Sequence, residues 1–177
     1  MTNDELRALN AKRKIYQIAW VTRDIEKSMK AWVDILKVGP WKVFSFTNET
    51  VKDLKVGGEI VTEPFKFLIA ISWMGDTELE IIQPVYGPTI YERFLNEKGE
   101  GLHHVKEKIE EDRFEETLRN YRDQGIGVTQ TGQFVADFHF YLDTEKKLDF
   151  IYELGNCPIQ NLPPSMFTVY PPETTPS

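Results

Sequence analysis

The sequence predicts an α+β fold: two tandem βαβββ modules whose strands form one curved, mixed sheet around a cleft. Three observations predict it. A strand, a helix and three strands can be read over residues 14–86, and the same order returns over residues 101–155. Glycine and proline punctuate both runs at corresponding places. Gln17 and His104 hold the same position in the first strand of each module, as Glu80 and Glu153 do in the last.

Taken in order, residues 1–13 are a polar extension with a short helix or a mobile arm around Leu6 and Leu9. Ile15 to Val21 alternates as a strand. Asp24 then caps a helix in which Ile25, Ser28, Met29, Trp32, Ile35 and Leu36 recur at helical spacing, closed by Gly39-Pro40. Trp41 to Thr47 is a second strand and Asn48 to Gly58 a polar loop. Pro64 to Met74 and Glu78 to Gln83 are strands joined by the hairpin signal Gly75-Asp76. A connector and a linker helix over residues 87–100 separate the modules. In the second, Leu102 to Ile109 is a strand and Arg113 to Gln124 a helix stopped by Gly125 and Gly127. Strands at Val128 to Thr131, Phe134 to Asp143 and Asp149 to Leu154 follow. Residues 156–177 carry six prolines and are expected to form no regular element.

The 177 residues carry a net charge of −7, which argues against nucleic acid or an anionic membrane as the main partner. No apolar run reaches the ~20 residues of a membrane span. Met1 to Glu5 is no signal peptide. A single cysteine, Cys157, excludes an internal disulfide framework and fits a reducing cytoplasm. Neither a Gly-x-Ser-x-Gly elbow nor a phosphate-binding glycine loop occurs.

His103 and His104 sit side by side at the start of a strand, where neighbours point to opposite faces. One imidazole can therefore look into a pocket, and His104 is taken as that one; His103 is assigned to packing or surface. Gln17 lies on an otherwise apolar face and needs a buried partner. Glu80 and Glu153 are carboxylates inside strands, where burial demands pairing or a metal. Glu78 shares the face of Glu80 and is the alternative if the register differs. His139 shares a face with Asp137 and Tyr141 and is expected to be structural or exposed. Trp41, Phe44 and Trp73 are candidates to line a hydrophobic pocket, with Lys106 as a further substrate-binding candidate.

Tyr16-Gln17-Ile18-Ala19-Trp20-Val21 with Asp24 to Ser28, then Leu79 to Pro84, Phe94 to His104, Tyr141 to Thr144 and Ile151 to Leu154, together resemble the vicinal oxygen chelate superfamily. This is the group of glyoxalase I, methylmalonyl-CoA epimerase, bleomycin resistance proteins and ring-cleaving dioxygenases. The resemblance spans roughly residues 14–155, and Phe94 to His104 looks most like the epimerase branch. It implies a glyoxalase-like cleft with Gln17, Glu80, His104 and Glu153 around a divalent ion (Mn, Co, Ni, Zn or Fe), and Glu80 or Glu153 doubling as base. The implied chemistry is removal of a proton α to a carbonyl with stabilisation of the enolate, on an acyl-CoA or α-oxo-acid-like small molecule. A glyoxalase-type lyase and a dioxygenase share the scaffold. Two positions depart from the pattern: glutamine stands at 17, where histidine is most frequent, and Lys106 stands where relatives carry a small residue. Both favour a third alternative, a metal-free binder of apolar small molecules, in which Lys106 pairs with Glu80 or Glu153. A homodimer is expected from the habit of this scaffold.

Overall fold

The computed structural model describes residues 1–158 and 161–172. Its frame is one curved, unclosed sheet. The centre is β1 (Ile15–Val21), which runs parallel to β6 (Thr77–Tyr86) on one side and antiparallel to β7 (Gly101–Lys108) on the other. Beyond β6 come β5 (Lys66–Met74) and β2 (Trp41–Thr47). Beyond β7 come β10 (Ile151–Gly155), parallel to it, then β9 (Asp137–Leu142) and β8 (Val128–Phe134). Each half therefore lays its last strand parallel to its first, so inward residues of β1, β6, β7 and β10 meet at the middle of the sheet.

Alternation sorts the side chains. One face buries Ala19, Val21, Phe44, Phe46, Phe67, Ile69 and Ile82 in the concave core. The other presents Trp41, Ala70, Leu79 and Ile81 to α2 (Ile25–Ala31) through Ile25 and Met29. Asp24 caps α2 by accepting from the Lys27 amide at 3.0 Å. The helix then widens into π-type turns over Trp32–Leu36 and ends at Lys37 in the left-handed region. That widening rotates Ile35 and Leu36 into solvent, although their spacing assigned them to the apolar stripe. The N-terminal α1 (Asn3–Asn10) carries a capping box from Thr2 and Glu5 and buries no residue. Helices α3 (Ile90–Lys98), α4 (Phe114–Asp123) and α5 (Glu145–Leu148) complete the chain.

Three expectations are corrected. The stretch expected to be a polar loop contains β3 (Val51–Val56), which pairs with β8, and β4 (Glu59–Ile60) follows directly after it. Its pattern is masked because Asp53 adopts φ 51° at a register shift, leaving buried Val51 and Leu54 three residues apart rather than two. Phe134 closes β8 instead of opening β9, the turn lying at Val135-Ala136. The proline-rich tail contains β11 (Phe167–Tyr170), which pairs with the free edge of β2. An edge strand tolerates flanking prolines because only one side of it is hydrogen-bonded. Residues 159–160 and 173–177 of that tail lie outside the described residues. Among the described residues no helix is long and apolar enough to cross a membrane.

Candidate functional site

The concave face encloses a cavity of about 370 Å³. Register determines what stands at its centre. Across β1 and β6, Gln17 is level with Glu78 and Ala19 with Glu80. Across β1 and β7, Ala19 is level with His104 and Gln17 with Lys106. Lys106 is in turn level with Glu153 on β10. Six side chains from four strands (Gln17, Glu78, Glu80, His104, Lys106 and Glu153) thus meet, each on the inward face of its strand.

His104 Nε2 is the hub. It lies 3.1 Å from Gln17 Oε1, 2.8 Å from Glu153 Oε2 and 3.7 Å from Glu80 Oε1. The Gln17 amide nitrogen donates to Glu78 Oε1 at 2.6 Å and Glu80 Oε2 at 2.9 Å, which orients its oxygen toward the imidazole. With acceptors on Nε2, that nitrogen carries the proton in this arrangement. Nδ1 of His104 lies 2.9 Å from Nδ1 of His103, so His103 acts as donor there.

His103 corrects the expectation that adjacent residues face opposite ways. A bulge between the pairs Ala19–His104 and Trp20–Leu102 leaves it without a partner on β1 and turns it inward. It is fully buried among Tyr91, Phe94 and Tyr141. Burial holds it neutral by pushing its pKa well below the histidine range.

Lys106 is buried too. Its Nζ donates to Glu153 Oε1 at 3.0 Å and to both Asp137 oxygens at 3.1 and 3.2 Å. Its stem crosses Gly155, where a Cβ would collide with Lys106 Cε and come within 2.5 Å of the Phe138 carbonyl oxygen. Burial alone would lower the ammonium, yet Asp137 and Glu153 hold it well above its usual range. Burial would likewise raise Glu153, but Lys106 and His104 outweigh it and hold that carboxylate down at about 2. At Asp137 burial wins and the carboxyl is pushed up despite Lys106. The firm ion pair is therefore Lys106–Glu153. Glu80 is pushed well up by burial and by the charges of Glu153 and Glu78, and burial lifts Glu78 to about 7.

Of the pocket candidates, Phe44 and Trp73 line the cavity and Trp41 does not. Trp41 sits one step out of phase on β2, on the helix side against Trp32, its Nε1 donating to the Val38 carbonyl at 3.0 Å. Glu78 and Glu80 both line the cavity, so the choice between them dissolves. His139 also lines it, held neutral by burial with a pKa near 4. Asp137, Tyr91 and Tyr141 went unassigned to the site. For Asp137 and Tyr141 the only signal was a shared face with His139; Tyr91 arrives from α3.

The donor set suits a first-row divalent ion, with one imidazole and three oxygens. Four carboxyls (Glu78, Glu80, Asp137 and Glu153) face one buried ammonium, an acid excess that a cation relieves. Glu153 Oε2 is buried without an aligned hydrogen-bond donor, the contact from His104 Nε2 lying off the N–H direction. Among the described residues no three His, Cys, Asp or Glu side chains are already arranged to hold an ion. Glu80 is turned to Gln17, and Glu153 Oε1 is taken by Lys106. The residues fit the ion in kind and separation, given a rotation of Glu80.

The sequence model described as the glyoxalase/bleomycin resistance protein/dioxygenase superfamily matches residues 16–141. No curated protein matches the chain. Among solved structures, a hypothetical protein of Bacillus halodurans C-125 is similar at TM-score 0.60 and 16% identity, over 86% of this chain and 99% of that one. Methylmalonyl-CoA epimerase from Mycobacterium tuberculosis is similar at TM-score 0.57 and 12% identity, over 80% and 85%. A 4-hydroxymandelate synthase variant from Streptomyces coelicolor gives 0.56 and 15%, over 90% of this chain but 42% of that one. At these identities the likeness is one of fold.

Proposed function

This chain belongs to the glyoxalase/bleomycin resistance protein/dioxygenase superfamily, and on that premise we propose that it is a divalent-cation-dependent, epimerase- or isomerase-like enzyme that removes a proton α to a carbonyl. The observation that carries the reading is the convergence of Gln17 Oε1, Glu153 Oε2 and Glu80 Oε1 on His104 Nε2, all within 3.7 Å. Gln17, Glu80, His104 and Glu153 would hold the ion, which supplies Lewis acidity to a substrate oxygen pair and so favours an enolate.

The chain's own groups do the rest. Lys106 keeps Glu153 ionised through Oε1, which leaves Oε2 as the free donor. Glu78 lies on the same face, fixed by Gln17 Nε2 and outside the four donors, so it is the carboxyl placed to take the proton. Glu80 and Glu153, which the resemblance offered for that role, would instead be held as donors to the ion, with Lys106 also on Glu153. The apolar walls contributed by β2 and β5 exclude water from the carbanion. Substrates of the acyl-CoA or α-oxo-acid kind meet these demands.

Purified protein with Mn(II) or Co(II) should exchange the α-proton of such a compound in deuterated water, and Glu78→Gln should lose exchange while still binding the ion. Bound ion without exchange on any acyl thioester or α-oxo acid tested defeats the reading. The Lys106–Glu153 ion pair favours a second one, a binder of apolar small molecules that needs no ion. It predicts ligand binding unchanged by a chelator and no thermal shift with divalent ions.

A further inference from the structure

The two modules cover the outer face of the sheet unequally. In the first, α2 seals it, with Ile25 and Met29 closing over Trp41, Ala70, Leu79 and Ile81. In the second, α4 fully buries none of its residues. Its first turn rests on the sheet through Phe114, whose ring lies 6.0 Å from that of Phe138 and 5.0 Å from that of Phe140. Around Tyr121, near its other end, α4 instead borders a recess of about 450 Å³ that also reaches β1, α5 and β10. The space that side chains fill in one half is open in the other.

The walls of this recess are apolar and pinned. Ile15, Tyr121, Ile126, Leu148 and Tyr152 supply its apolar lining. Ile15 and Leu148 stay 41% and 49% exposed. Thr144 Oγ1 fixes the start of β10, accepting from the Tyr152 amide at 2.8 Å and donating to the Phe150 carbonyl at 3.0 Å. The Tyr152 hydroxyl donates to Glu107 at 2.5 Å and accepts from Arg13 at 2.9 Å. Groups held in this way do not swing inward to fill the space. Arg13 is itself committed to Glu107. That leaves Lys147, also at the recess, as the cation with no ion-pair partner among the described residues.

We propose that the recess is a second ligand site, taking a small molecule with an apolar body and one carboxylate head set against Lys147. Its volume falls within the roughly 300–1,000 Å³ of small-molecule sites. A docked helix, ~10 Å across, is too broad to enter it. The proposal does not depend on the proton-transfer reading of the central site.

Calorimetry of the full chain against octanoate and butyrate, with EDTA present, tests it. A buried methylene is worth about fourfold in affinity, so octanoate, with half of its four extra methylenes covered, should bind about 15-fold more tightly than butyrate. Ile126→Trp, which fills the recess, should weaken octanoate by about tenfold or more. Lys147→Glu, at an exposed position that leaves the fold alone, should weaken it about fivefold. No binding of octanoate to the unaltered protein overturns the inference, as does binding that neither variant changes, which would put the ligand in the central cavity. Loss in Ile126→Trp without loss in Lys147→Glu overturns the charged head. Dissociation of a dimer by octanoate on size exclusion would assign the recess to a second copy and overturn the proposal too.

Discussion

Replacing Lys106 by methionine keeps an unbranched side chain, one atom shorter, and removes its charge. In the structure that ammonium lies 3.0 Å from Glu153 Oε1 and 3.1 Å from Asp137 Oδ2, with Lys106 4% exposed. A unit pair at that separation is worth about 5 kcal/mol at an effective dielectric of ~20. Desolvation offsets part of this for the intact pair, but not once one partner is gone. Glu153 then stays buried with no cation, and losses of this kind run to about 3–5 kcal/mol. In a chain of this size that is roughly 10 °C in Tm. Urea and thermal unfolding of wild type and Lys106→Met read the loss directly. Mn(II) should raise the Tm of the variant more than that of the wild type, because the released carboxylates gain the ion as their only counter-charge. A loss under about 1 kcal/mol, or equal shifts with Mn(II), would refute the view that Lys106 is the resident cation of the site.

Gly155→Ala should cost about 1–3 kcal/mol in urea unfolding, because the new methyl meets the fixed Phe138 carbonyl oxygen and the stem of Lys106; an unchanged midpoint contradicts the packing. Leu54→Ala should cost about 2–5 kcal/mol, as befits a core residue of β3, whereas an exposed loop position would change by less than ~0.5 kcal/mol. On the outer face Glu107 accepts from Arg13 at 2.7 and 2.5 Å and from the Tyr152 hydroxyl at 2.5 Å. Burial would raise Glu107, but these bonds outweigh it and leave its pKa lowered. The unfolded chain therefore binds the proton first on acidification. This carboxylate adds stability above its unfolded pKa near 4.5 that is lost as pH falls through the folded value. Wild type should accordingly lose more stability than Glu107→Gln between about pH 5 and pH 3, and parallel curves would contradict the assignment.

What the sequence disclosed follows from where local pattern and tertiary demand agree. β1 alternates cleanly, and β2 and β5 set Phe44 with Phe46 and Phe67 with Ile69 two apart on the core face, so period reveals them, and Asp24 announces α2 by its cap. β3 escapes because the left-handed Asp53 breaks its period. β11 escapes because an edge partner, not its own composition, makes it a strand. The convergence of Gln17, Glu80, His104 and Glu153 was legible through the repeated order of the two halves. Asp137 and His103 were not: one meets Lys106 only through sheet curvature, the other faces inward only through a bulge.

Cobalt(II) titration followed by visible absorption reads the four-residue site itself. One Co(II) per chain is expected, with weak bands of a nitrogen–oxygen site, lost in both His104→Ala and Glu153→Ala while Glu78→Gln retains them. Cobalt bound equally well by the His104 and Glu153 variants, or not at all by the wild type, would contradict it.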